Sequence, residues 1–566
     1  MSTSNGFFKT SRLLCAGGLA VSLTALIVGS AAAQSVGPLV RVAYGDPLAG
    51  CSADNVPLQE ALFGGVNYPG TSIEPSIAVD PTDPSRMIGF HQQDRWSNGG
   101  SRSLVGVISK DGGKHWANSS PDGATLCQGG KYVRSTDPWV TFANDGTAIA
   151  LIQVLDPAKS TTQFGTRNSG VMASRSTDHG VSWQAPVSLI ENTNLNLLND
   201  KISVTADPTH NGDAYATWDR LKILFGHFGG VIDLSGVANP RSIERLMMNS
   251  VVGGSLSCSP LGKAPCHAAG PAAAVGYTGP TLLSYTRDNG RTWSETVPIY
   301  EPGLNKQTIN NIVRVLPNGD VLDFFQGLGT TPSGQSIGYV RSTNKGVTWS
   351  GPTYFIDVSG VGPVTPDSGG PIRSDAFIDS VAVNPVTGAI TVAWQDYRFT
   401  SAMCTTPTGM IPIDSIAITQ SLDGGLTWSR PIPVNQTPDN DASPCRQQAF
   451  SPTVTTTSDG SAVVVTYYDF RNDTNTPVGN EGTDFFAAIC QVSSDCSKAA
   501  SWSSEVKMTN ASFNILNAPI AEGHFLGDYM GLAAGAPGQV VSLFGVSTGP
   551  NIVQEFSRTI TTTSAR

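Results

Sequence analysis

The chain has 566 residues, 14% of them charged, and a formal net charge of −10, which argues against nucleic acid as a partner. A hydrophobic fraction of 39% is enough for a large core and excludes global disorder. The 61 glycines and 37 prolines favour many strands joined by tight turns over long helices.

Residues 1–33 have the order of a secretory signal. Lys9 and Arg12 precede an apolar run at residues 13–28, and small residues then lead to Ala33. This order predicts cleavage after Ala33 and a secreted or periplasmic protein with no membrane anchor after cleavage.

Eight cysteines follow the predicted signal, and an even number in an exported protein predicts disulfides. Close spacing pairs Cys258 with Cys266 and Cys490 with Cys496. The remaining four are expected to bridge longer loops: Cys51, Cys127, Cys404 and Cys445. No C-x-x-C or H-E-x-x-H pattern occurs, so no metal or other cofactor is predicted, and a structural calcium ion stays open.

A short motif recurs five times, at residues 109–116 (SKDGGKHW), 176–183 (STDHGVSW), 286–293 (TRDNGRTW), 342–349 (STNKGVTW) and 421–428 (SLDGGLTW). Each copy lies between two short strand-like segments, so the motif is predicted to be the turn of a hairpin. The Asp and Ser side chains bond N–H groups of the turn, the glycine supplies a positive φ, and the tryptophan packs between units. Repetition of this kind indicates a structural unit.

A second pair of strand-like segments precedes most copies of the motif, which gives four antiparallel strands per repeat and predicts a β-propeller. Seven blades are expected, with six as the alternative, and their innermost strands begin near Pro75, Pro138, Ile202, Ile312, Ser380, Pro452 and Met530. The last repeat has three strands, and residues 36–42 are predicted to add its fourth and close the ring. Residues 34–566 thus form one domain, with a loop insertion at about 221–281.

The motif resembles the Asp-box, or BNR, repeat of the sialidase superfamily, over nearly the whole mature chain. The resemblance implies an all-β propeller and a secreted, sialidase-like glycoside hydrolase acting on an acidic or complex glycan. Asp-box propellers also include lyases and binding proteins, so a non-catalytic glycan- or protein-binding propeller and a polysaccharide lyase stay open as alternatives. A carbohydrate is the expected substrate or ligand, and no oligomeric state is predicted.

The face opposite the repeated turns collects charged residues. Acidic residues stand just before inner strands, at Glu74, Asp137, Asp200, Asp379 and Asp528. Acid and arginine neighbours follow second strands, at Asp94 and Arg95, Asp219 and Arg220, Asp396 and Arg398, and Asp469 and Arg471. We therefore expect a polar funnel at the mouth of the central channel, which is where a propeller ligand would bind.

Comparison with sialidases implies roles for these residues. Tyr529 lies in a Tyr-x-x-Leu segment that resembles the one carrying the family's nucleophile, and Glu74 or Asp528 would be its base partner. Asp94 or Asp137 would be the acid. A carboxylate grip and further contacts would come from Arg95, Arg220, Arg373, Arg398, Arg446, Arg471 and His91. The first blade has Ile73-Glu74-Pro75 where the family has Arg-Ile-Pro, so the first arginine of the grip is absent.

Overall fold

The computed structural model describes residues 34–42, 45–157, 166–194, 197–224, 276–374, 378–407, 409–440, 442–474 and 479–562. The predicted signal at 1–33, most of the predicted insertion at 221–281 and the predicted pair Cys258 and Cys266 lie outside these residues. The strands that follow are therefore those of the described part of the chain.

Antiparallel strands in successive groups of four fill most of the described chain. Before the first group come β1 (Ser35–Val36), β2 (Val40–Arg41) and the helix α1 (Val56–Phe63). The first two groups contain β3 (Ser72–Val79), β4 (Met87–Arg95), β5 (Ser101–Ser109), β6 (Ala117–Asn118), β7 (Arg134–Phe142), β8 (Ala148–Pro157), β9 (Thr166–Ser176) and β10 (Val187–Asn192). The next two contain β11 (Leu197–Ala206), β12 (Ala214–Leu224), β13 (Gly276–Gly279), β14 (Thr281–Thr286), β15 (Val297–Tyr300), β16 (Lys306–Val315), β17 (Val321–Leu328), β18 (Gln335–Ser342) and β19 (Thr353–Asp357).

The second half continues in the same way. It contains β20 (Ile372–Arg373), β21 (Ser380–Val383), β22 (Ile390–Asp396), β23 (Met403–Thr406), β24 (Gly409–Pro412), β25 (Ser415–Ser421), β26 (Ile432–Pro433), β27 (Ala449–Thr456), β28 (Ala462–Asp469), β29 (Gly482–Gln491) and β30 (Ser504–Lys507). The last strands are β31 (Phe513–Asn514), β32 (His524–Phe525), β33 (Gly531–Ala534), β34 (Gln539–Gly549) and β35 (Ile552–Thr561). Short 3-10 helices occur at Leu126–Gln128, Pro444–Gln447, Ala499–Trp502 and Ile515–Asn517.

The pairing of the strands is that of an all-β propeller. Within the described residues, seven units have the orders β3-β4-β5-β6, β7-β8-β9-β10, β11-β12-β14-β15, β16-β17-β18-β19, β21-β22-β25-β26, β27-β28-β29-β30 and β33-β34-β35. In the seventh unit, β1 and β2 pair antiparallel with β35 and supply the outer strand. The predicted closure by strands from both termini is confirmed, and the blade number of the whole chain stays a prediction.

The first strands of the units line up side by side around the channel. Side-chain hydrogen bonds link neighbouring first strands, for example Ser203 Oγ to Asn311 O at 2.8 Å and Thr456 Oγ1 to Val383 O at 3.0 Å. The last unit contacts the first where the N–H of Asp528 donates to Glu74 Oε1 at 3.3 Å. These first strands therefore form a closed ring.

The hydrophobic core lies between neighbouring units and not in one central mass. Ile88 and Phe90 of the first unit pack with Val140 of the second. Apolar clusters of the same kind join the other neighbours, including one between the last unit and the first, where Leu543 packs with Val107. Because the charged channel and the apolar interfaces are separate, polar groups at the channel mouth do not interrupt the core.

The repeated motif forms the turn between the third and fourth strands, as predicted. In the turn at residues 176–183, Asp178 Oδ1 accepts hydrogen bonds from Ser176 Oγ at 2.7 Å and from Ser182 N at 2.9 Å. Gly180 has φ +85°, and a Cβ atom there would lie 2.2 Å from Ile88 Cδ1. The turn is thus a structural element that seats one unit against its neighbour.

Three disulfides lie within the described residues: Cys51–Cys127, Cys404–Cys445 and Cys490–Cys496. The predicted pair Cys490 and Cys496 is confirmed, and the other two bridges join distant segments, as expected. No helix among the described residues is long and apolar enough to span a membrane.

Replacing Asp178 by Ala should lower the melting temperature, because the substitution removes the acceptors of the Ser176 and Ser182 hydrogen bonds. The loss should be about 1–2 kcal/mol of the free energy of unfolding, since most of the turn is solvated. Asp178→Asn is the matched control, because Asn344 makes the equivalent Ser342 contact in another turn. Equal melting temperatures for Asp178→Ala and the wild type, measured by calorimetry, would contradict the structural role of the motif.

Candidate functional site

A repeated backbone irregularity brings polar side chains to the channel mouth. In five first strands two residues lie opposite a single residue of the second strand, which shifts the register by one, and the first of the two has a positive φ, between +48° and +60°. These residues are Glu74, Asp137, Lys201, Asn310 and Ser451. A positive φ in a non-glycine residue costs energy, so five such residues at equivalent places mark this end of the ring as a candidate site.

Asp528 is the centre of a buried charge cluster at this end. Arg373 donates to it from Nε at 2.8 Å and from Nη2 at 2.6 Å, and Lys201 Nζ lies 2.6 Å from Oδ2. Lys201 comes from the third unit and Asp528 precedes the seventh, so this ion pair joins non-adjacent parts of the ring. Asp528, Arg373, Lys201, Glu74 and Asp137 are called the mouth cluster below.

Glu74 joins the mouth cluster through its two oxygens. Oε1 accepts from the N–H of Asp528, and Oε2 accepts from Gln92 Nε2. Gln92 in turn accepts from Arg95 Nη1 at 2.7 Å. Burial raises the pKa of Glu74 well above its usual range, Asp528 and Asp137 raise it further, and Lys201 and Arg95 oppose them. Glu74 is therefore suited to hold a proton near neutral pH.

Asp137 is held by main-chain contacts of the next unit, and its Oδ2 accepts from Lys201 N at 3.1 Å. Asp200, which the sequence placed at the funnel, instead pairs across the sheet with Asp219. The register shift after Asp200 turns Lys201 towards the mouth in its place. Lys201 was not among the predicted site residues, and its only signal in the sequence is its position directly before Ile202, where the third inner strand was predicted to begin.

Tyr529 lies beside the mouth cluster and faces the channel. It lines a cavity of about 1130 Å³ that follows the first strands through the ring. Its ring centroid is 5.8 Å from that of Trp139 and 5.7 Å from Lys201 Nζ. Asn310 and Asp379 line the same cavity. A phenol, a carboxyl and an amide thus line one cavity.

The predicted arginines divide into two groups. Arg95 and Arg373 both lie over the ring of Phe525, with guanidinium carbons 5.2 Å and 4.2 Å from its centroid. Phe525 belongs to β32, which pairs in parallel with β20, the strand that carries Arg373. This small two-stranded sheet packs against the mouth cluster and brings two of the predicted arginines together.

Four of the predicted arginines bond to residues that do not belong to the mouth cluster. Arg398 bonds Asp396, Arg471 bonds Asp469 and Glu505, and Arg446 bonds Asp367 and Asp473. Arg220 Nε donates to Asn199 Oδ1 at 3.2 Å, and burial lowers its pKa. The described contacts do not bring these four to the mouth cluster.

Asp94 and His91 take structural positions on β4. Asp94 Oδ2 is 3.1 Å from Arg102 Nη1, and the same guanidinium donates through Nε and Nη2 to Asp54, beside the Cys51–Cys127 bridge. His91 is fully buried on the face of β4 opposite to Gln92, and burial lowers its pKa to about 4. Both residues stand behind the mouth, and their predicted roles in acid catalysis and ligand binding stay predictions.

Among the described residues, the group with metal-ligand spacing is Cys51, Asp54 and Cys127. Both sulfurs of this group are joined in a disulfide, so neither is a thiolate ligand.

No protein-family model matches the chain, and no curated protein matches it in sequence. Among solved structures, a protein of unknown function from Dyadobacter fermentans has a TM-score of 0.41 and 15% identity over 75% of this chain and 94% of its own. The α-L-arabinofuranosidase Arb93A from Fusarium graminearum has a TM-score of 0.41 and 13% identity over 81% and 98%. The NanB sialidase from Streptococcus pneumoniae has a TM-score of 0.41 and 11% identity over 84% and 83%. Similarities this low assign no function to the chain.

Replacing Asp528 by Asn should destabilise the protein by about 3–5 kcal/mol, because the ammonium of Lys201 and the guanidinium of Arg373 then face an uncharged amide while buried. Urea denaturation followed by tryptophan fluorescence measures this change. Glu191→Gln removes the exposed partner of Lys131 and should leave the free energy of unfolding nearly unchanged. A loss for Asp528→Asn no larger than for Glu191→Gln would refute the central place of Asp528.

Replacing Asp379 by Asn should change the pH dependence of stability. Burial raises the pKa of Asp379 from 3.8 to about 7, so the folded chain keeps a proton that the unfolded chain loses. The stabilisation from this group is complete below about pH 4 and is lost as the pH rises to about 7. The variant should therefore gain stability relative to the wild type between these pH values.

Thermal melts at intervals of half a pH unit test this expectation, with Asp122→Asn at an exposed position as the control. The difference in melting temperature between the Asp379→Asn variant and the wild type should rise with pH and level off. A difference that stays constant across the range would show that Asp379 does not bind a proton on folding.

Proposed function

We propose that this protein is a secreted glycoside hydrolase that acts on a complex glycan at the channel mouth. One observation carries the proposal: Tyr529 lines the enclosed cavity and directly follows Asp528, whose N–H binds Glu74. A tyrosine beside carboxyl groups at an enclosed cavity supplies a nucleophile and a proton acceptor. Trp139 and Tyr529 form an aromatic surface, which supports the proposal that the site binds a sugar.

The proposed roles follow from charge and burial. Tyr529 attacks the anomeric carbon through its hydroxyl oxygen, and the ammonium of Lys201 lies 5.7 Å from the centroid of its ring. In its ionised form Glu74 accepts the proton of Tyr529, and burial, which raises the pKa of Glu74, favours the carboxylic acid that results. Asp137 is the candidate acid for the leaving group. Arg373 and Lys201 compensate the charge of Asp528 and hold its backbone beside Glu74.

An acidic substrate would need guanidiniums that are available to its carboxylate. Arg373 donates two hydrogen bonds to Asp528, and Arg398, Arg446 and Arg471 each pair with acids of their own. These pairings favour a complex glycan over one recognised through a carboxylate.

Disulfides within the described residues agree with export.

A non-catalytic glycan-binding propeller is the second candidate. It is favoured by the burial of the mouth cluster, in which Glu74 and Asp137 have no exposed surface and Asp528 has 1%. Carboxyl groups closed off in this way hold the ring together without touching a ligand. Binding would then use the cavity wall without chemistry.

Turnover separates the two candidates. The purified mature protein should release 4-methylumbelliferone from at least one member of a panel of sialoside, glucoside, galactoside and arabinofuranoside substrates. Tyr529→Phe should lower kcat by about a hundredfold or more, because the nucleophile is removed. Release that is unchanged in Tyr529→Phe would contradict the role of Tyr529.

Tyr397→Phe is the matched control, since this tyrosine is 36% exposed and lies outside the cavity. It should retain wild-type kcat and KM. No release from any substrate by the wild type, together with binding on a glycan array, would support the binding propeller and exclude the hydrolase.

A further inference from the structure

The channel wall below the mouth cluster has features of a ligand site that the mouth cluster lacks. The cavity of about 1130 Å³ includes Trp139, Tyr529, Asn310 and Asp379 in its lining, and Glu74, Asp137, Lys201 and Asp528 do not belong to that lining. Its size is sufficient for a short saccharide.

Asp379 presents an unused acceptor at this wall. Asn310 Nδ2 lies 3.3 Å from its Oδ1 and donates to its main-chain oxygen at 2.7 Å. Oδ2 has no hydrogen-bond partner among the described residues, although Asp379 is only 1% exposed. A buried carboxyl oxygen without a partner destabilises the fold, and a hydrogen bond to a hydroxyl group of a ligand would relieve that cost.

Two aromatic rings, those of Trp139 and Tyr529, line the same cavity as Asp379. Trp139 and Tyr529 are partly buried, with ring centroids 5.8 Å apart and planes inclined by 57°. The faces of such rings offer flat apolar surface, whereas sugar rings combine an apolar face with hydroxyl edges. An aromatic surface with one strong acceptor matches that chemistry.

The charge of the lining decides between uncharged and anionic saccharides. Its ionisable residues are Asp80, Arg314 and Asp379, and burial raises the pKa of Asp379 to about 7, so that below this pH one ionised acid stands against one base. Arg314 donates to Val381 O at 2.8 Å and to Val313 O at 3.0 Å, so two of its N–H groups bind the protein. A carboxylate in the cavity therefore gains no net attraction from the lining.

We propose that this wall is a subsite for an uncharged saccharide, with the sugar ring against Trp139 and Tyr529 and a hydroxyl donated to Asp379. The inference rests on the proposed glycan function of the same site and names its substrate class. Asn310 is a positioning residue, because it holds the other carboxyl oxygen of Asp379.

Binding on a glycan array tests the proposal without turnover. The probes are neutral oligosaccharides and the same oligosaccharides extended by sialic acid or a uronic acid. The wild type should bind neutral members at least about tenfold more tightly than their charged counterparts, measured afterwards in solution by calorimetry. Asp379→Asn and Trp139→Ala should each weaken that binding by about tenfold.

Asp323→Asn is the control for the aspartate, because Asp323 is buried and hydrogen-bonded to Asn311 but does not line the cavity. It should leave affinity unchanged. Preferred binding of charged members, equal binding by Asp379→Asn and wild type, or no binding to any member would each overturn the subsite.

The outcomes also separate this inference from the hydrolase. Sialoside turnover that depends on Tyr529 would keep the hydrolase and overturn the uncharged subsite. Neutral binding that depends on Asp379, without turnover of any substrate, would keep the subsite and overturn the hydrolase.

Discussion

The buried contacts of Asp528 are the constraint on which the candidate site depends. Arg373 approaches this carboxylate from the segment before the fifth unit, Lys201 reaches it from the third, and its own N–H binds Glu74 of the first. One short peptide before the seventh unit thus fixes groups from several parts of the ring. Because buried charges are stable only when they are compensated, this arrangement holds the mouth residues in one geometry and sets Tyr529 beside the cavity.

The interactions that stabilise the fold lie mainly outside this site. Apolar interfaces between neighbouring units hold the ring, and the repeated turns seat those interfaces from the opposite face. Glu74 and Lys201 have strained backbone conformations with positive φ. The fold tolerates this strain because the surrounding strands hold the backbone in place. Scaffold and site can change separately, which is how one architecture carries many chemistries.

The fold could be predicted from the sequence because its signals are local. The hairpin turns, the alternation of strand residues and the three-stranded last repeat can each be seen within a short stretch of sequence. The structure confirms the closure of the ring by strands from both termini. The site was only partly predictable. Glu74 and Asp528 were predicted, because both are acids that come just before predicted first strands. Lys201 was not predicted, because a register shift after Asp200 places the Lys201 side chain at the mouth. Likewise, the partners of Arg446 come from segments far apart in sequence.

The pairing of β1 with β35 also has a consequence for the order of folding. Ser35 pairs with Thr561, so one of the first residues after the predicted signal has its partner near the end of the described chain. During synthesis the early strand has no ladder to join, and the ring cannot close until the last strands exist. Such distant pairing makes closure a late and slow event. A chain that crosses a membrane before β35 is made therefore crosses it with an open ring.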